Sequence, residues 1–393
     1  MTQNSYDLNN GIRDVSPAFD LLISQSPSFL KLLGSLGTSF DLTGQSPIVK
    51  ANKYEWVNES LTPFSSAIAS FAVDGDGVTF DVASTTGFEA GSIVRFEAAA
   101  GNSKTELARV TSVNANGTSI TVSRDYGSTT GVTLIVGDIM FLNSTPQNEA
   151  SSKGSARVQQ GTIDFNYTEI FRADARLSRT AIASRTYDGA NSMQKQIFSA
   201  MVALTRKIEG AALYGVPVAR TDTIEGTTGG LLHYLGKAGG NIDSTGGNIS
   251  QTLINNVIES IYSDGGALSQ PVILCAPNQA RRLSALNTAG TNPILQKSNI
   301  DRSLGNFVTS FVGDLPIDGS GVVAQIYSCF DMAKDKVAVV DLSKVNLRVM
   351  SGLTSENSRT PGDDNQSQSL VTELTLEVEN STKAHGIITG LNI

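Results

Sequence analysis

The sequence predicts an α+β protein with more than one substructure, and three observations carry that reading. Between residues 71 and 145 the short runs VTFDV, SIVRFEA, ELARVTSV, TSITVSR and VTLIVGDIMFL alternate with Gly, Asn and Asp turns, the spacing of a small barrel or sandwich. From residue 193 to 212 the apolar positions Met193, Ile197, Ala200, Met201, Leu204, Ile208, Ala211 and Ala212 follow one face of a helix about 25 residues long. PVILC then runs directly into PNQARRL, a strand followed by a helix opened by Pro277. At 393 residues the chain exceeds what one core usually holds, so two or more substructures are expected.

Composition excludes several classes. Formal net charge is −8 and no Lys/Arg cluster stands out, so the electrostatic footprint of a nucleic-acid binder is missing, and this chain is not expected to grip DNA. No stretch approaches the roughly 20 continuous apolar residues of a membrane span. The polar start MTQNSYDLNN is not a signal peptide, and synthesis in the cytoplasm is expected. Cys275 and Cys329 lie in the apolar contexts PVILCAP and AQIYSCF, which reads as two small core residues rather than a disulfide.

Along the chain, residues 1–50 mix apolar patches (PAFDLLI, SFLKLLGSLG) with Ser, Asn, Gly and Pro, without a long helical period. An arm that lies on other surfaces is expected there. Tyr54 and Trp56 share one side of a strand in ANKYEWVN. In ELARVTSVNANGTSITVSRDYG, Asn116-Gly117 signals a two-residue hairpin turn, which sets Val113 opposite Ile120, Thr111 opposite Val122 and Arg109 opposite Arg124.

The segment TIDFNYTEIFRADARLS alternates from Ile163 to Ser178: Ile163, Phe165, Tyr167, Glu169, Phe171, Ala173, Ala175 and Leu177 on one side, polar residues except Ile170 on the other. As one strand it would span roughly 50 Å. A globule of this chain length has a radius of gyration of about 21 Å, so such a strand would leave the body as a two-stranded arm. Two strands with a bend near Thr168 are the other reading. An isolated arm would expose an apolar, aromatic stripe of several hundred Å², so its burial on another subunit is expected, with Arg172, Asp174 and Arg176 setting register.

Beyond the helix, residues 219–249 read as a Gly/Thr-rich loop around GLLHYL, and Ser250 as the N-cap of a helix with Ile254, Val257, Ile258 and Ile261 inward and Gly265-Gly266 as its stop. Two β runs, GVVAQIYSCFD and KVAVVDLSKVNLRVM, precede TSENSRTPGDDNQSQS, which lacks apolar residues and is expected to be a mobile loop. In TELTLEVENS, Leu374, Leu376 and Val378 alternate with Glu373, Thr375, Glu377 and Glu379, an amphipathic strand tied into a sheet.

Chemistry is thin. His233 and His385 are the two histidines, and either could be drawn beside Cys275 as a hydrolase pair, but no nucleophile elbow, GxGxxG, Walker loop or metal-spaced cluster accompanies them. Asp74-Gly-Asp76-Gly has the wrong residues at Val78 and Phe80 for a calcium loop and reads as a hairpin turn. No catalytic, cofactor or metal site is expected.

The order of elements, together with LTRKIEGAALYG, GGLLHYL, PVILCAPNQARRLSAL and TELTLEVENSTKAHGIITGL, resembles the major capsid proteins of tailed bacteriophages with the Hong Kong 97-type fold, over essentially the whole chain. The resemblance implies an N-terminal arm at 1–50 and an extended loop at 51–187 with a small β-barrel or sandwich inserted at 71–145. It implies a peripheral domain with the spine helix at 188–230, an axial domain at 231–340, and a peripheral return with a C-terminal strand at 341–393. Residues 1–50 lack the long helical scaffolding segment with which some members begin. The implied function is self-assembly as pentamers and hexamers into an icosahedral head shell, in the virion after synthesis in the host. Phe165, Tyr167, Phe171, Arg172, Asp174 and Arg176 are the expected inter-subunit contacts, and the implied partners are further copies, a scaffolding protein, a portal and decoration proteins. A tail tube or fibre component is the alternative, for which the β-rich region alone would be adequate.

Overall fold

A short helix, α1 (Ser28–Ser35), and a strand, β1 (Lys53–Asn58), precede six strands that alternate strongly enough to close on themselves: β2 (Ser65–Asp74), β3 (Gly77–Val82), β4 (Ile93–Glu97), β5 (Glu106–Val113), β6 (Ser119–Ser123) and β7 (Ile139–Ser144). In this computed structural model the described residues are 28–35, 49–59, 64–74, 77–97, 106–114, 118–129, 131, 133–147, 149, 161–183, 192–286, 295–297, 308–317, 320–358 and 364–393. The chain divides into two compact units, residues 59–161 and a body made of residues 1–58 with 162–393.

The smaller unit is a closed antiparallel barrel in the order β2-β3-β6-β5-β4-β7. Closure leaves no strand edge, and one parity of each strand fills the interior. Ile68, Phe80, Val94, Phe96, Ala108, Val110, Ile120, Val122 and Met140 are buried there in one cluster, with the Phe80 and Phe96 rings 5.3 Å apart. Glu106 is fully buried as well. Its carboxylate is matched by the Arg124 guanidinium (Nε to Oε1 2.8 Å) and by the Asp125 N–H, partners that offset its desolvation.

The β5–β6 hairpin pairs Val113 with Ile120 as expected, and Asn116-Gly117 itself lies outside the described residues. Further from the turn the expected register is corrected: Val110 faces Val122 and Arg109 faces Ser123, because a bulge between Val110 and Ser112 leaves Thr111 extra. The bulge keeps Val110 and Val122 in the interior together, while the Thr111 hydroxyl donates to Thr121 O (3.0 Å). Asp74 pairs with Gly77; the turn between them is also outside the described residues.

The body continues with β8 (Thr162–Tyr167), β9 (Glu169–Ser178), α2 (Arg179–Ala183), α3 (Ser192–Tyr214), α4 (Leu231–Leu235), β10 (Asn241–Asp243), α5 (Gln251–Ser263), β11 (Pro271–Cys275) and α6 (Pro277–Leu286). It ends with β12 (Leu295–Lys297), β13 (Val308–Ile317), β14 (Ser320–Ser328), β15 (Val337–Asp341), β16 (Val345–Ser358), β17 (Asn365–Val378) and β18 (Gly386–Ile388). Three sheets result: the pair β1-β8, the triplet β16-β17-β9, and a seven-stranded sheet in the order β10-β18-β15-β11-β14-β13-β12.

Period-two alternation in β11 divides the core. Val272 and Leu274 join the main cluster with Leu204, Ile208, Leu347, Leu374 and Leu376. Ile273 and Cys275 join a second cluster with Ile254, Val257, Ile258 and Ile261 of α5. The Ser250 hydroxyl caps α5 by accepting from Leu253 N–H (3.3 Å), and Gly265 follows the helix at φ 80°, where a side chain would be strained. Cys275 and Cys329 are both buried and free.

Four expectations are corrected in the body. The sixteen-residue strand is two strands broken at Thr168, and β9 is paired along its whole length with β17 instead of leaving the body. The segment 354–369 is not a loop throughout: Thr354–Ser358 of β16 pair with Ser367–Val371 of β17, and only 359–363 lie outside the described residues. Its polar side chains bond across the ladder, as Ser369 Oγ does to Asp174 Oδ1 (2.5 Å), so no apolar signature was needed. Within 341–393, β18 pairs with β10 and β15 and so completes the seven-stranded sheet.

The stretch LLHYL is a five-residue helix rather than loop. Finally, α3 buries Leu204, Ile208, Ala212 and Leu213, whereas Met201, assigned to the inner face, is 44% exposed and Phe198 is 51% exposed. In the N-terminal region, α1 is short and amphipathic, with Phe29, Leu30, Leu32 and Leu33 inside the body's own core. PAFDLLI lies outside the described residues.

Candidate assembly surface

The candidate surface is built on β1 and β8, antiparallel partners with Val57 opposite Ile163, Glu55 opposite Phe165 and Lys53 opposite Tyr167. These six side chains share one face of the ladder. Val57 is 61% exposed, Ile163 64% and Phe165 40%. The Lys53 ammonium lies 4.3 Å from the centre of the Phe165 ring and 2.5 Å from Glu55 Oε1, and the Tyr167 ring meets Phe165 edge-on at 5.5 Å. Hydrogen bonding to Glu55 holds the exposed Lys53 ammonium above its ordinary pKa.

The opposite face of the same ladder is inverted in character. Trp56 is buried beside Tyr54 and Tyr234, with ring centres 6.0 and 5.8 Å away. Asn166 is fully buried, and its amide is used completely: Nδ2 donates to Gly229 O (3.0 Å) and Leu376 O (2.6 Å), while Oδ1 accepts from Gly229 N–H (2.6 Å) and Tyr167 N–H (2.8 Å). Asp164 accepts from Asn58 Nδ2 (2.9 Å) and Lys237 Nζ (2.6 Å), and the Tyr234 hydroxyl donates to Phe165 O (2.7 Å). The polar residues of β8 therefore anchor the strand and its apolar residues are presented outward.

At Thr168 the parity changes. Its N–H donates to Asn52 O (2.9 Å) and its hydroxyl to Glu373 Oε1 (2.8 Å), an oxygen that Arg220 Nη2 also reaches at 3.0 Å. Next to it Glu169 accepts from Thr228 N–H (3.0 Å), and burial pushes its carboxyl above the ordinary range. Along β9 the odd residues Phe171, Ala173 and Ala175 are buried and the even residues point outward.

Of the six expected contact residues, Phe165 and Tyr167 lie on the outward ladder. Phe171 does not: it is 4% exposed in the core shared with Leu204 and Leu370, so the body itself covers it, and the expectation is corrected there. Arg172, Asp174 and Arg176 form an exposed row on β9, where Arg172 Nε meets Asp174 Oδ1 at 3.1 Å and Arg172 Nη2 donates to Ser369 Oγ at 3.0 Å. The Ser369 hydroxyl bond, aided by Arg172, holds the Asp174 carboxyl below its ordinary range. Ile163 and Ile170 enter the sequence reading as positions of the alternation but not as expected contacts, and Val57 does not enter it; the signal available for all three is Asn166, an amide within the alternating strand.

The candidate catalytic groups are held as structure. His385 is fully buried, accepts from Asp341 N–H at Nδ1 (3.1 Å) and faces Glu379 O through Nε2 (3.1 Å); burial lowers its pKa to about 4. Burial raises the Cys275 thiol to about 12, leaving it a thiol at neutral pH. Burial also lowers His233, with Lys237 adding to the effect. Among the described residues no group of three His, Cys, Asp or Glu could hold a metal, and no helix is long and apolar enough to cross a membrane.

The body is mixed α+β and presents an apolar strand face on β1 and β8. The sequence profile of the SU10 major capsid protein family matches residues 1–392, and the chain belongs to that family. It is 25% identical over 170 residues to the major capsid protein of Pseudomonas phage PaMx41, a match covering 43% of this chain and 39% of that relative's length. Among solved structures it is similar to the capsid asymmetric unit of cyanophage A-1(L), at 12% identity and a TM-score of 0.48, over 99% of this chain and 98% of the other. Microbacterium phage Oxtober96 gives 14% identity and a TM-score of 0.43 over 90% and 92% of the two chains.

Proposed function

We propose that this chain is the major capsid protein of a tailed bacteriophage and that it assembles through pentamers and hexamers into the icosahedral shell around the genome. The family match over residues 1–392 carries the reading. The outward ladder of Val57, Ile163 and Phe165 supports it, because covering those side chains on a neighbouring copy is worth roughly 1 kcal/mol or more each before the cost of association. Repetition over every copy of a closed shell turns such modest contacts into a stable particle. Phe165 and Tyr167 would meet the neighbour directly, with Arg172, Asp174 and Arg176 fixing register. Net charge −8 suits a container that confines DNA without gripping it.

In this reading the barrel is an insertion in an extended loop spanning residues 51–187, residues 1–50 form an N-terminal arm, and α3 is the spine of a peripheral domain completed by residues 341–393. Residues 231–340 form an axial domain, to which β18 adds a strand. Scaffolding, portal and decoration proteins are the partners such a shell would take, and no catalytic role belongs to it. Electron microscopy and sedimentation of the full chain, alone and with a scaffolding partner, test this. Closed shells or ring-shaped capsomers are expected; tubes or fibres would favour a tail component, and a 41.4 kDa monomer under every condition would refute assembly. Cys275→Ala should assemble normally, whereas a hydrolase would lose activity.

A further inference from the structure

Glu209, in the C-terminal third of α3, is fully buried. Its Oε1 accepts from Phe29 N–H (3.1 Å), from the Ser28 hydroxyl (3.5 Å) and from the Cys329 thiol (3.5 Å). The first N–H groups of α1 have no acceptor within their own helix, so one of them is satisfied by a side chain 180 residues away in sequence. The other oxygen, Oε2, is buried with no hydrogen-bond partner among the described residues. An ionised carboxylate in that position would lose the hydration of Oε2 without replacement, a cost that a neutral carboxyl largely avoids.

The surroundings reinforce this. Phe29, Leu30, Leu32 and Leu33 of α1 share one core cluster with Leu204, Ile208, Ala212 and Leu213 of α3 and with Cys329 and Met332. The ionisable groups acting on Glu209 are the Cys329 thiol and the Asp331 carboxylate. Tyr214, further along α3, faces the same two groups and donates its hydroxyl to Asp331 O (2.7 Å). The cations of the packed elements are engaged or turned outward: Lys31 of α1 and Arg206 of α3 are exposed, Lys207 donates to Arg172 O, and Arg348 of β16 is bound to Glu377. Burial raises the Glu209 carboxyl above its ordinary range and Asp331 adds to the rise, while the Phe29 N–H bond opposes it.

We propose that Glu209 is a protonation latch for the N-terminal segment: its neutral carboxyl holds α1 in the core, and ionisation loosens α1 while the rest of the body stays folded. The docked carboxyl takes up a proton more readily than the freed one. Docking is therefore fully favoured below the ordinary glutamate range and weakens as pH rises through the docked value. Because Phe29, Leu30, Leu32 and Leu33 leave the core with the latch, a proton selects between a bound segment and one free to bind elsewhere.

Hydrogen exchange on the full-length protein from about pH 5 to about pH 8, corrected for intrinsic rates, tests this; α5, whose buried face carries no carboxylate, is the internal reference. Protection of the α1 amides relative to α5 should fall by up to about tenfold per pH unit, the slope of one proton. Glu209→Gln keeps an acceptor for Phe29 N–H and cannot ionise, so α1 should remain protected across the range. A flat α1-to-α5 ratio in the wild type, which needs no variant to fold, would overturn the proposal. So would an unchanged slope in Glu209→Gln. The wild-type minus Glu209→Gln infrared difference spectrum should contain a neutral-carboxyl band that vanishes as pH rises over the same range.

Discussion

Strands β8 and β9 follow each other with a single residue between them, yet they bury opposite parities. In β8 the odd residues Ile163 and Phe165 are exposed and the even Asn166 is buried; in β9 the odd residues Phe171, Ala173 and Ala175 are buried and the even residues Ile170, Arg172 and Asp174 are exposed. The switch falls at Thr168 and Glu169, where backbone and side-chain bonds to Asn52, Glu373 and Thr228 fix the offset. Alternation reports that a strand has two unlike faces. Which one is inside is decided by the partner strand and by what packs on it.

The largest effect is expected from an ionised group on the buried side of β9. Phe171→Asp should cost about 4 kcal/mol or more and yield little soluble folded protein, measured by expression and urea unfolding. Asn166→Ala comes next: it strands Gly229 O, Leu376 O and Gly229 N–H in the interior and should cost about 2–4 kcal/mol by the same unfolding measurement. Phe165→Asp should change subunit stability by less than about 1 kcal/mol, since the ring is already in contact with solvent, and still prevent particle formation in sedimentation. Equal damage from Phe165→Asp and Phe171→Asp would abolish the distinction between the two strands. The smallest effect belongs to Arg172→Ala, within about 0.5 kcal/mol on the isolated subunit because its pair with Asp174 is exposed. A change in the salt dependence of assembly for this variant would place the charged row at a contact.

Much of the architecture is legible in the residues. The alternation that builds the barrel interior, the Ser250 cap, the inner positions Leu204, Ile208 and Ala212 of α3, and the PVILC strand followed by α6 each follow from local rules that the rest of the molecule does not oppose. Three features escape for physical reasons. The polar residues 354–358 form strand because neighbouring ladders and Ser, Gln and Thr hydroxyl or amide bonds satisfy them, which apolar periodicity cannot report. The bulge at Thr111 depends on keeping two valines on one side of a closed wall. Glu209 sits at a position that reads as the polar side of a helix, and only the arrival of α1 from far along the chain makes it interior. At the candidate surface, Ile163, Phe165 and Tyr167 are visible in the sequence as one side of an alternating strand; Val57 is not, since its exposure follows from its register opposite Ile163.

The chain leaves and re-enters the body at neighbouring points. Asn58 at the end of β1 is the register partner of Thr162 at the start of β8, and within the barrel Ser65 of β2 is the register partner of Phe141 of β7. Adjacent antiparallel strands lie about 4.8 Å apart, so the body has its two cut ends, Asn58 and Thr162, within one ladder spacing. In the vocabulary of gene architecture this is a cassette site: a short turn, the present barrel, or an unrelated domain whose own ends meet could each be spliced between the same two residues without re-registering β1 and β8. Lineages that share the body can then differ in this segment by wholesale exchange as readily as by point substitution, and a foreign epitope or enzyme domain with juxtaposed termini could be carried there, one per copy.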